Sequence, residues 1–256
     1  MKIISLGLGV QSTAMYMMSS LGIIERADYA IFADPGSEAT KTYKILDLLK
    51  DWCKENKGIP IIVSKERNLY KSLLENKSTT GRSGVLIPAF TESGGMLQRQ
   101  CTKEYKINPV LQAIRKIQGL KPRKRMKFVK IYLGISLDEI ERMKISKQSN
   151  MEYVYPLIDK KMSRSDCIQF YKEHNFTIPP KSSCSFCPYH TNKYWKDIKE
   201  NDREAWNKAV KVDKAIRYNT KTKEPVYVHS SCIPLERIEF ADQLELFMCE
   251  EGFCGL

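Results

Sequence analysis

Two cysteines separated by two residues, in the segment Cys184-Ser185-Phe186-Cys187, are the residues best suited to bind a metal. Two thiolates at this spacing can chelate one metal ion, and Pro188 stiffens the chain where it leaves the turn. One such pair supplies only half of a four-ligand site, so two further ligands must come from distant positions. Three interpretations stay open: an iron–sulfur cluster, a zinc site that also draws on His190, and free redox-active thiols.

The other cysteines bear on the same question, since the chain holds eight in 256 residues. The first residues run directly into a strand pattern without a signal-peptide layout, and we expect a cytoplasmic protein whose thiols stay reduced. Cys53 and Cys167 lie in amphipathic stretches and are predicted to be core residues, which leaves the remaining thiols for metal binding or chemistry. No segment approaches about 18 consecutive apolar residues, so we predict no interaction with a membrane.

A second candidate site is the loop Ser5-Leu6-Gly7-Leu8-Gly9-Val10-Gln11-Ser12-Thr13, which follows an apolar start. A small, hydroxyl-rich loop at the end of a strand can bring backbone N–H groups close to a phosphate. The helix that follows directs its positive end at the same place. The loop lacks the Gly-Lys-Ser/Thr ending of a Walker A loop and the third glycine of a dinucleotide-binding turn. The sequence predicts a phosphate site of another type or, failing that, a tight strand–helix connection.

Polar residues also follow the ends of two other predicted strands. Asp34 ends the second strand, where a carboxylate can accept from a ribose or adenine or help to hold Mg²⁺. Ser37 is predicted to cap the helix that comes next. After the fourth strand, Ser136 is predicted to cap a helix whose first turn holds Asp138, so that Arg142 can pair with a carboxylate of that turn.

Cations outnumber anions, with 42 Lys and Arg against 30 Asp and Glu and a net charge of +12. Arg99, Lys103 and Lys106 lie near a helix start, where they suit phosphate or sulfate. The densest basic run covers 121–127 and is predicted to be a loop between a helix and a strand. Such a charge balance favours a polyanionic partner, and nucleic acid is the simplest one.

The predicted elements alternate between strands and helices in the first 135 residues. This order implies parallel βαβ units, and a ligand would lie at the carboxyl ends of the strands. Residues 77–100 are rich in Ser, Thr and Gly and are predicted to be a loop, and the chain after about residue 151 is predicted to hold helices and loops. The predicted strands are 2–8, 29–33, 59–63 and 129–135, and the predicted helices are 11–21, 38–55, 68–75, 103–118, 163–174, 193–198 and 203–216.

Five blocks of the sequence, kept in order, resemble the phosphoadenosine phosphosulfate (PAPS) reductase-like proteins of phages and bacteria. These belong to the PP-loop ATP-pyrophosphatase, or adenine nucleotide alpha-hydrolase, superfamily. The Ser5–Thr13 loop resembles the PP-loop, and residues 34–43 resemble the Asp-Thr-Gly…Glu-Thr stretch. Residues 134–142 resemble a Gly-Ile-Ser-x-Asp-Glu-x-x-Arg segment. Residues 99–109 are similar to the Cys-Cys-x-x-Arg-Lys-x-x-Pro segment of sulfonucleotide reductases, and the cysteine pair and tail supply the fifth block.

The resemblance implies an α/β fold with a Rossmann-like parallel sheet flanked by helices and a Cys-rich C-terminal region. Residues 1–150 would form the nucleotide-binding domain, and residues 151–256 would pack on it. The implied ligand is an adenine nucleotide, either ATP with Mg²⁺ or a molecule like PAPS or adenylyl sulfate (APS). The residues assigned to the nucleotide and its phosphates are Ser5, Gly7, Gly9, Gln11, Ser12, Thr13, Asp34, Arg99, Lys106, Ser136 and Arg142.

A 4Fe–4S cluster is also implied, because some sulfonucleotide reductases hold one with a Cys-Cys pair and a distant Cys-x-x-Cys. Here Thr102 replaces the second cysteine of the pair, and the implied ligands, for the cluster or alternatively for zinc, are Cys101, Cys184, Cys187 and Cys254. In the reductases a C-terminal Glu-Cys-Gly segment carries the nucleophilic thiol. The end of this chain resembles that segment, so the resemblance assigns Cys254 to catalysis as well, together with Asp34.

Three functions are consistent with the resemblance. The first is an enzyme that activates nucleic acid (tRNA or DNA) with ATP and transfers sulfur from a donor such as a cysteine desulfurase. The second is a PAPS or APS reductase that works with thioredoxin and uses Cys254 as nucleophile. The third is a nucleotide-binding or phage-defence module without turnover, because Gln11 stands where an aspartate is common in the pyrophosphatases.

Overall fold

A parallel sheet organises the first part of the chain in the computed structural model, which describes residues 1–79, 81, 84–218 and 223–240. Five strands form this sheet in the order β3-β2-β1-β5-β6, and every neighbouring pair is parallel. A separate antiparallel pair joins β4 and β7. The strands are β1 (Lys2–Ser5), β2 (Tyr29–Ala33), β3 (Ile61–Ser64), β4 (Phe90–Thr91), β5 (Val129–Tyr132), β6 (Met151–Val154) and β7 (Val226–Tyr227).

Helices follow most of the strands, which confirms the predicted parallel sheet flanked by helices. A capping box starts α6, because the Ser163 hydroxyl accepts from the backbone of Asp166 and the Asp166 carboxylate accepts from the backbone of Ser163. The helices are α1 (Val10–Ser20), α2 (Thr40–Glu55), α3 (Leu69–Leu74), α4 (Asn108–Ile117), α5 (Pro156–Asp159), α6 (Arg164–Glu173), α7 (Asn192–Asn201) and α8 (Arg203–Ile216).

The order of the sheet contains a reversal of direction. The chain proceeds from the central strand β1 outward through β2 to β3 and then returns to the other side of β1 with β5 and β6. Register is fixed on both sides of the centre, where Ile3 pairs with Tyr29 and with Ile131. The loops after β1 and β5 therefore leave the same edge of the sheet in opposite directions, which opens a crevice there.

Alternate residues of the strands divide between two layers of core. Ile4 and Phe32 face a cluster that includes side chains of α1, α2 and α6. Ile3 and Ile31 face a second cluster built with α4. Both faces of the sheet are thus covered, and β2 accordingly reads as a continuous apolar run with a buried stretch from Ala30 to Ala33.

Several local predictions were wrong. Met151–Val154 forms the edge strand β6. Its four residues are of mixed polarity, so the sequence did not predict a strand there. Ser37 does not cap a helix: its hydroxyl donates to the Cys184 sulfur, and α2 begins only at Thr40. The helix predicted over 103–118 starts as a π-helical turn, Lys103–Ile107, because Pro109 has no N–H to continue α-helical pairing.

The chain divides into two compact units, each assembled from separate segments. Unit 1 comprises 1–34, 41–66 and 107–182 and contains the parallel sheet; unit 2 comprises 35–40, 67–106 and 183–256. A core cluster with Phe186 and Trp195 at its centre lies within unit 2. This division follows spatial contacts, whereas the predicted one, 1–150 and 151–256, follows chain order.

Among the described residues, no helix is both long and apolar enough to cross a bilayer.

Candidate functional site

One hydroxyl holds the loop after β1 in its shape. Ser12 Oγ accepts hydrogen bonds from the backbone N–H groups of Gly7 and Gly9, each at 3.2 Å. Leu8 between them has φ of 58°, a left-handed conformation that turns the chain sharply. Helix α1 begins at Val10, and the N–H groups of its first turn have no hydrogen-bond partners within the helix. The helix start therefore presents its N–H groups at the carboxyl end of the central strand, while those of Gly7 and Gly9 are bound to Ser12.

The loop after β5 closes on the same helix start. A Cβ on Gly134 would lie 2.6 Å from Ser12 Cα and 2.7 Å from Ser12 N, so only glycine fits there. Since β1 and β5 are the strands at which the sheet order reverses, this contact lies at the topological switch point. Ligands of open α/β sheets bind in the crevice at this place.

The other predicted residues of the first loop differ in accessibility. Ser5 ends β1 and is half-buried, as is Gln11 in the first turn of α1. Thr13 is fully buried, with 0% of its surface exposed. Ser12 and Gln11 thus face outward more than Thr13 does, and they are the side chains of this loop best placed to reach a ligand.

Leu137–Arg142 forms a 3-10 helix that is interrupted at Glu139 and contains an ion pair. Ser136 is buried, and its hydroxyl donates to an Asp138 carboxylate oxygen at 3.3 Å rather than capping the helix. The predicted pairing of Arg142 is confirmed by its 2.6 Å contact with Glu139. Arg142 Nε is buried without a hydrogen-bond partner in the described part of the chain. One donor of this guanidinium is therefore unpaired among the described residues.

Asp34 lies beside a cavity of about 270 Å³ in unit 1. The carboxylate is 7% exposed and accepts a hydrogen bond of 2.7 Å from the Tyr43 hydroxyl. The cavity lies at the ends of β2 and β3, on the far side of β2 from the switch point. Its lining residues are Asp34, Tyr43, Leu46, Asp47, Lys50, Val63 and Lys65.

Within unit 2, Lys106 and Arg99 occupy different surroundings. Lys106 Nζ lies 3.1 Å from Glu38 Oε1, and the Glu38 side chain is 0% exposed. Arg99 lies over the Tyr189 ring at 5.7 Å, and its Nη1 is buried with no hydrogen-bond partner among the described residues. Lys106 therefore balances a buried carboxylate, whereas Arg99 keeps a donor for an anion.

Cys184 is a buried thiol held by neighbours within unit 2. The Ser37 hydroxyl donates to its sulfur at 3.2 Å, and the two segments form an antiparallel bridge between Glu38 and Cys184. Burial, with the negative charge of Glu38 as the next cause, raises the pKa of the Cys184 thiol to about 12, while Lys106 and the Ser37 bond oppose this rise. At neutral pH this thiol stays protonated unless a cation such as a metal binds it.

The Cys-x-x-Cys segment forms a turn in which the Cys187 N–H donates to the Cys184 carbonyl at 3.0 Å. Cys101 and Cys187 are half-buried. In the ranges that the structure describes, no three His, Cys, Asp or Glu side chains are grouped so as to hold a metal. Cys254, the fourth predicted ligand and predicted nucleophile, lies outside the described residues. The donor set among the described residues is thus incomplete, and the cluster stays a prediction.

His190 contributes to structure at this turn. Its Nε2 lies 2.8 Å from the Cys184 carbonyl oxygen, and its ring stacks on Tyr194 with centroids 3.7 Å apart. One ring nitrogen is therefore engaged with the backbone. The zinc alternative that includes His190 would have to use the other nitrogen.

Sequence reasoning missed several residues of these sites. The role of Gly134 depends on a contact with a helix more than 120 residues earlier, which no local pattern reveals. Glu38 was not assigned a role from the sequence. Its position beside small residues, shortly after a buried strand, is the signal that could have indicated a buried carboxylate. The buried hydroxyls of Ser183 and Ser185, without partners in the described chain, flank Cys184 and were also overlooked.

No family model matches the chain, and no curated protein matches it at significant similarity.

Proposed function

We propose that the chain is a PAPS reductase-like enzyme that uses an adenine nucleotide to transfer sulfur to nucleic acid through an adenylated intermediate. The observation that carries the nucleotide part is the meeting of the Ser5–Thr13 loop with Gly134 at the switch point of the sheet. Backbone donors, a helix N-terminus and an outward hydroxyl gather there, and this combination suits a phosphate.

In the proposed reaction, the N–H groups at the start of α1 hold the ATP phosphates, Ser12 keeps the loop in shape, and Arg142 adds a cationic donor from the β5 side. Asp34 supplies a carboxylate for Mg²⁺ or for the nucleoside. An acceptor oxygen of the nucleic acid attacks the α-phosphorus, a P–O bond of ATP breaks, and pyrophosphate leaves. The acceptor is then linked to AMP, which is a better leaving group than the original oxygen.

Sulfur transfer completes the proposed cycle. A donor such as a cysteine desulfurase transfers the outer sulfur of its own persulfide to the Cys254 thiol, which becomes a persulfide. The terminal sulfur attacks the activated atom of the acceptor, and AMP leaves with the oxygen. A second thiol, from a reductant such as thioredoxin, then breaks the S–S bond to Cys254 and is itself oxidised to a disulfide.

Charge supports this proposal over a purely small-molecule reaction, and thiol chemistry bears on which sulfur attacks. The net charge of +12 suits a polyanionic substrate. The buried Cys184 thiol, with its pKa raised to about 12, is a poor nucleophile as a free thiol and suits a structural or metal-bound role. This assigns the attacking sulfur elsewhere, in keeping with Cys254.

The test is an anaerobic incubation with ATP and tRNA or DNA, and separately with PAPS or APS and thioredoxin. Pyrophosphate release that nucleic acid stimulates supports the proposal. Release of sulfite from PAPS or APS overturns it in favour of a sulfonucleotide reductase. Nucleotide binding with neither product overturns it in favour of a binding module without turnover.

A further inference from the structure

A turn rich in cations connects α4 to β5 in unit 1. This basic turn, residues 121–127, has a defined shape. The Gln118 side chain bridges both backbone polar groups of Lys127, with bonds of 2.9 and 3.2 Å, and the Arg115 guanidinium donates to the Lys121 carbonyl at 3.0 Å. Asn150 donates to the Met126 carbonyl at 2.9 Å. The five exposed cations of the turn are Lys121, Arg123, Lys124, Arg125 and Lys127.

Ion pairing among the described residues differs between the basic turn and several other cations of unit 1. Lys2, Lys50, Lys54, Lys116 and Lys130 each lie within 4 Å of an Asp or Glu oxygen. None of the five cations in the basic turn makes an ion pair with any described residue, and Arg125 donates to the neutral Ser149 hydroxyl at 2.8 Å. Their charges therefore add up at the surface instead of being neutralised.

Arg123 occupies a strained position of the turn. Its φ is 66°, in the left-handed region that glycine adopts without penalty. A side chain at such a position costs roughly 1 kcal/mol or more. Replacing Arg123 with glycine would therefore remove its charge and relieve the backbone at the same time, which separates a loss of binding from a loss of stability.

We propose that the basic turn binds the phosphate backbone of a nucleic acid. The turn precedes β5 and thus lies at the amino-terminal edge of the sheet, while the loop after β1 lies at the carboxyl edge. The four residues of β5 separate the two edges by about 13 Å. The basic turn is therefore an anchoring surface separate from the nucleotide site, and it rests on the proposed function only for the choice of nucleic acid as partner.

A membrane surface fits the turn less well than a nucleic acid does. Membrane-binding segments pair cations with apolar side chains that insert between lipids. The apolar side chain within the turn, Met126, is 8% exposed and belongs to the core of unit 1. The turn itself thus presents cations without a large exposed apolar side chain. The one exposed ring directly after it, Phe128 at 51% exposure, is less than the apolar face of a membrane-binding segment, so the surface matches a polyanion in water better.

The first test replaces Arg123 with glycine, which removes the charge and relieves the backbone. We expect weaker binding of a 20-base-pair DNA duplex and of an RNA hairpin in fluorescence anisotropy, with a thermal midpoint equal to or above that of the parent. The slope of log affinity against log salt should fall by about 0.9 for a lost phosphate contact on DNA. The matched control is Lys57→Gly, since Lys57 is also an exposed cation with a positive φ, of 50°. It precedes β3, the outer strand on the opposite side of the sheet, and so lies away from the basic turn.

Larger changes separate this inference from the proposed function. The triple variant Arg123→Gly/Lys124→Gln/Arg125→Gln should lower the salt slope by about 2–3 and leave ATP binding unchanged, whereas Ser12→Ala should weaken ATP binding and leave duplex binding unchanged. Unchanged nucleic-acid binding in the triple variant would overturn the inference, as would an equal loss in Lys57→Gly. Loss of binding to phosphatidylserine vesicles alone, with nucleic-acid binding intact, would overturn it in favour of a membrane surface.

Discussion

The loop after β1 in unit 1 and the cysteine turn in unit 2 depend on different kinds of chemical group. The first uses backbone N–H groups, glycines and one hydroxyl, and its shape depends on how closely two chain segments approach. The second uses buried ionisable side chains, and its state depends on the balance between Cys184, Glu38 and Lys106. One added methyl group should therefore damage the first site, while one changed charge should alter the second.

The largest expected effect concerns the thiols. If unit 2 contributes to a 4Fe–4S cluster, protein purified without oxygen is brown and contains iron and acid-labile sulfide, and Cys184→Ser removes both. Cys53→Ala, which changes a half-buried thiol of unit 1, should retain both. A colourless parent protein contradicts the cluster, and stoichiometric zinc in that preparation would favour the zinc alternative.

Gly134→Ala tests the packing of the first site. The new Cβ would lie 2.6 Å from Ser12 Cα, and because both atoms belong to backbone segments, one loop must shift. We expect a loss of about 1–3 kcal/mol in the free energy of unfolding and roughly tenfold or more in ATP affinity, measured by denaturation and calorimetry. Gly9→Ala is the control for space, since its Cβ would lie 3.9 Å from the nearest atom. Equal destabilisation by both changes would argue against the close approach.

Ser12→Ala tests the hydroxyl that shapes the loop. It removes the acceptor for the two backbone N–H groups that fix the loop's shape. We expect ATP affinity to fall by about 1–2 kcal/mol, or roughly tenfold. Ser146→Ala, which removes a similar acceptor for the Gln148 N–H at 3.1 Å, should leave ATP affinity unchanged. ATP binding that is unaffected in Ser12→Ala would contradict the assignment of this loop to phosphate.

The smallest expected effect is a change of charge beside Cys184 in metal-free protein. Glu38→Gln removes a negative charge that raises the thiol pKa, so the pKa falls and more thiolate is present at a given alkaline pH. Alkylation of Cys184, followed by mass spectrometry, should become faster by up to about tenfold, which corresponds to one pKa unit.

Lys106→Gln should change the rate in the opposite direction, because Lys106 lowers this pKa. The buried Cys167 of unit 1, whose pKa is raised to about 12 mainly by burial, serves as an internal control that neither change should affect. Rate changes of the same sign for Glu38→Gln and Lys106→Gln would show that loosened packing, rather than charge, governs the thiol.

Local sequence patterns were sufficient for the strongly patterned elements. Tyr29–Ala33 matched its predicted strand because an apolar run between turn signals has few alternatives. The core positions of Cys53 and Cys167 also followed from amphipathic spacing, as the packing of the unit 1 core shows. Edge strand β6 was missed because its four residues mix apolar and charged side chains, only Met151 is buried, and they carry no apolar run.

The amino-acid sequence by itself determined which groups could do chemistry: the hydroxyl-rich loop, the cysteine pair and the basic turn. These depend on residue type and short spacing, which the chain carries locally. Only the tertiary structure decided that the loop lies at the switch point beside Gly134, that Glu38 is buried against Lys106, and that the cations of the basic turn lack carboxylate partners in the described chain. Each of these depends on distant segments brought together by the order of strands and the packing of cores, which no local pattern encodes.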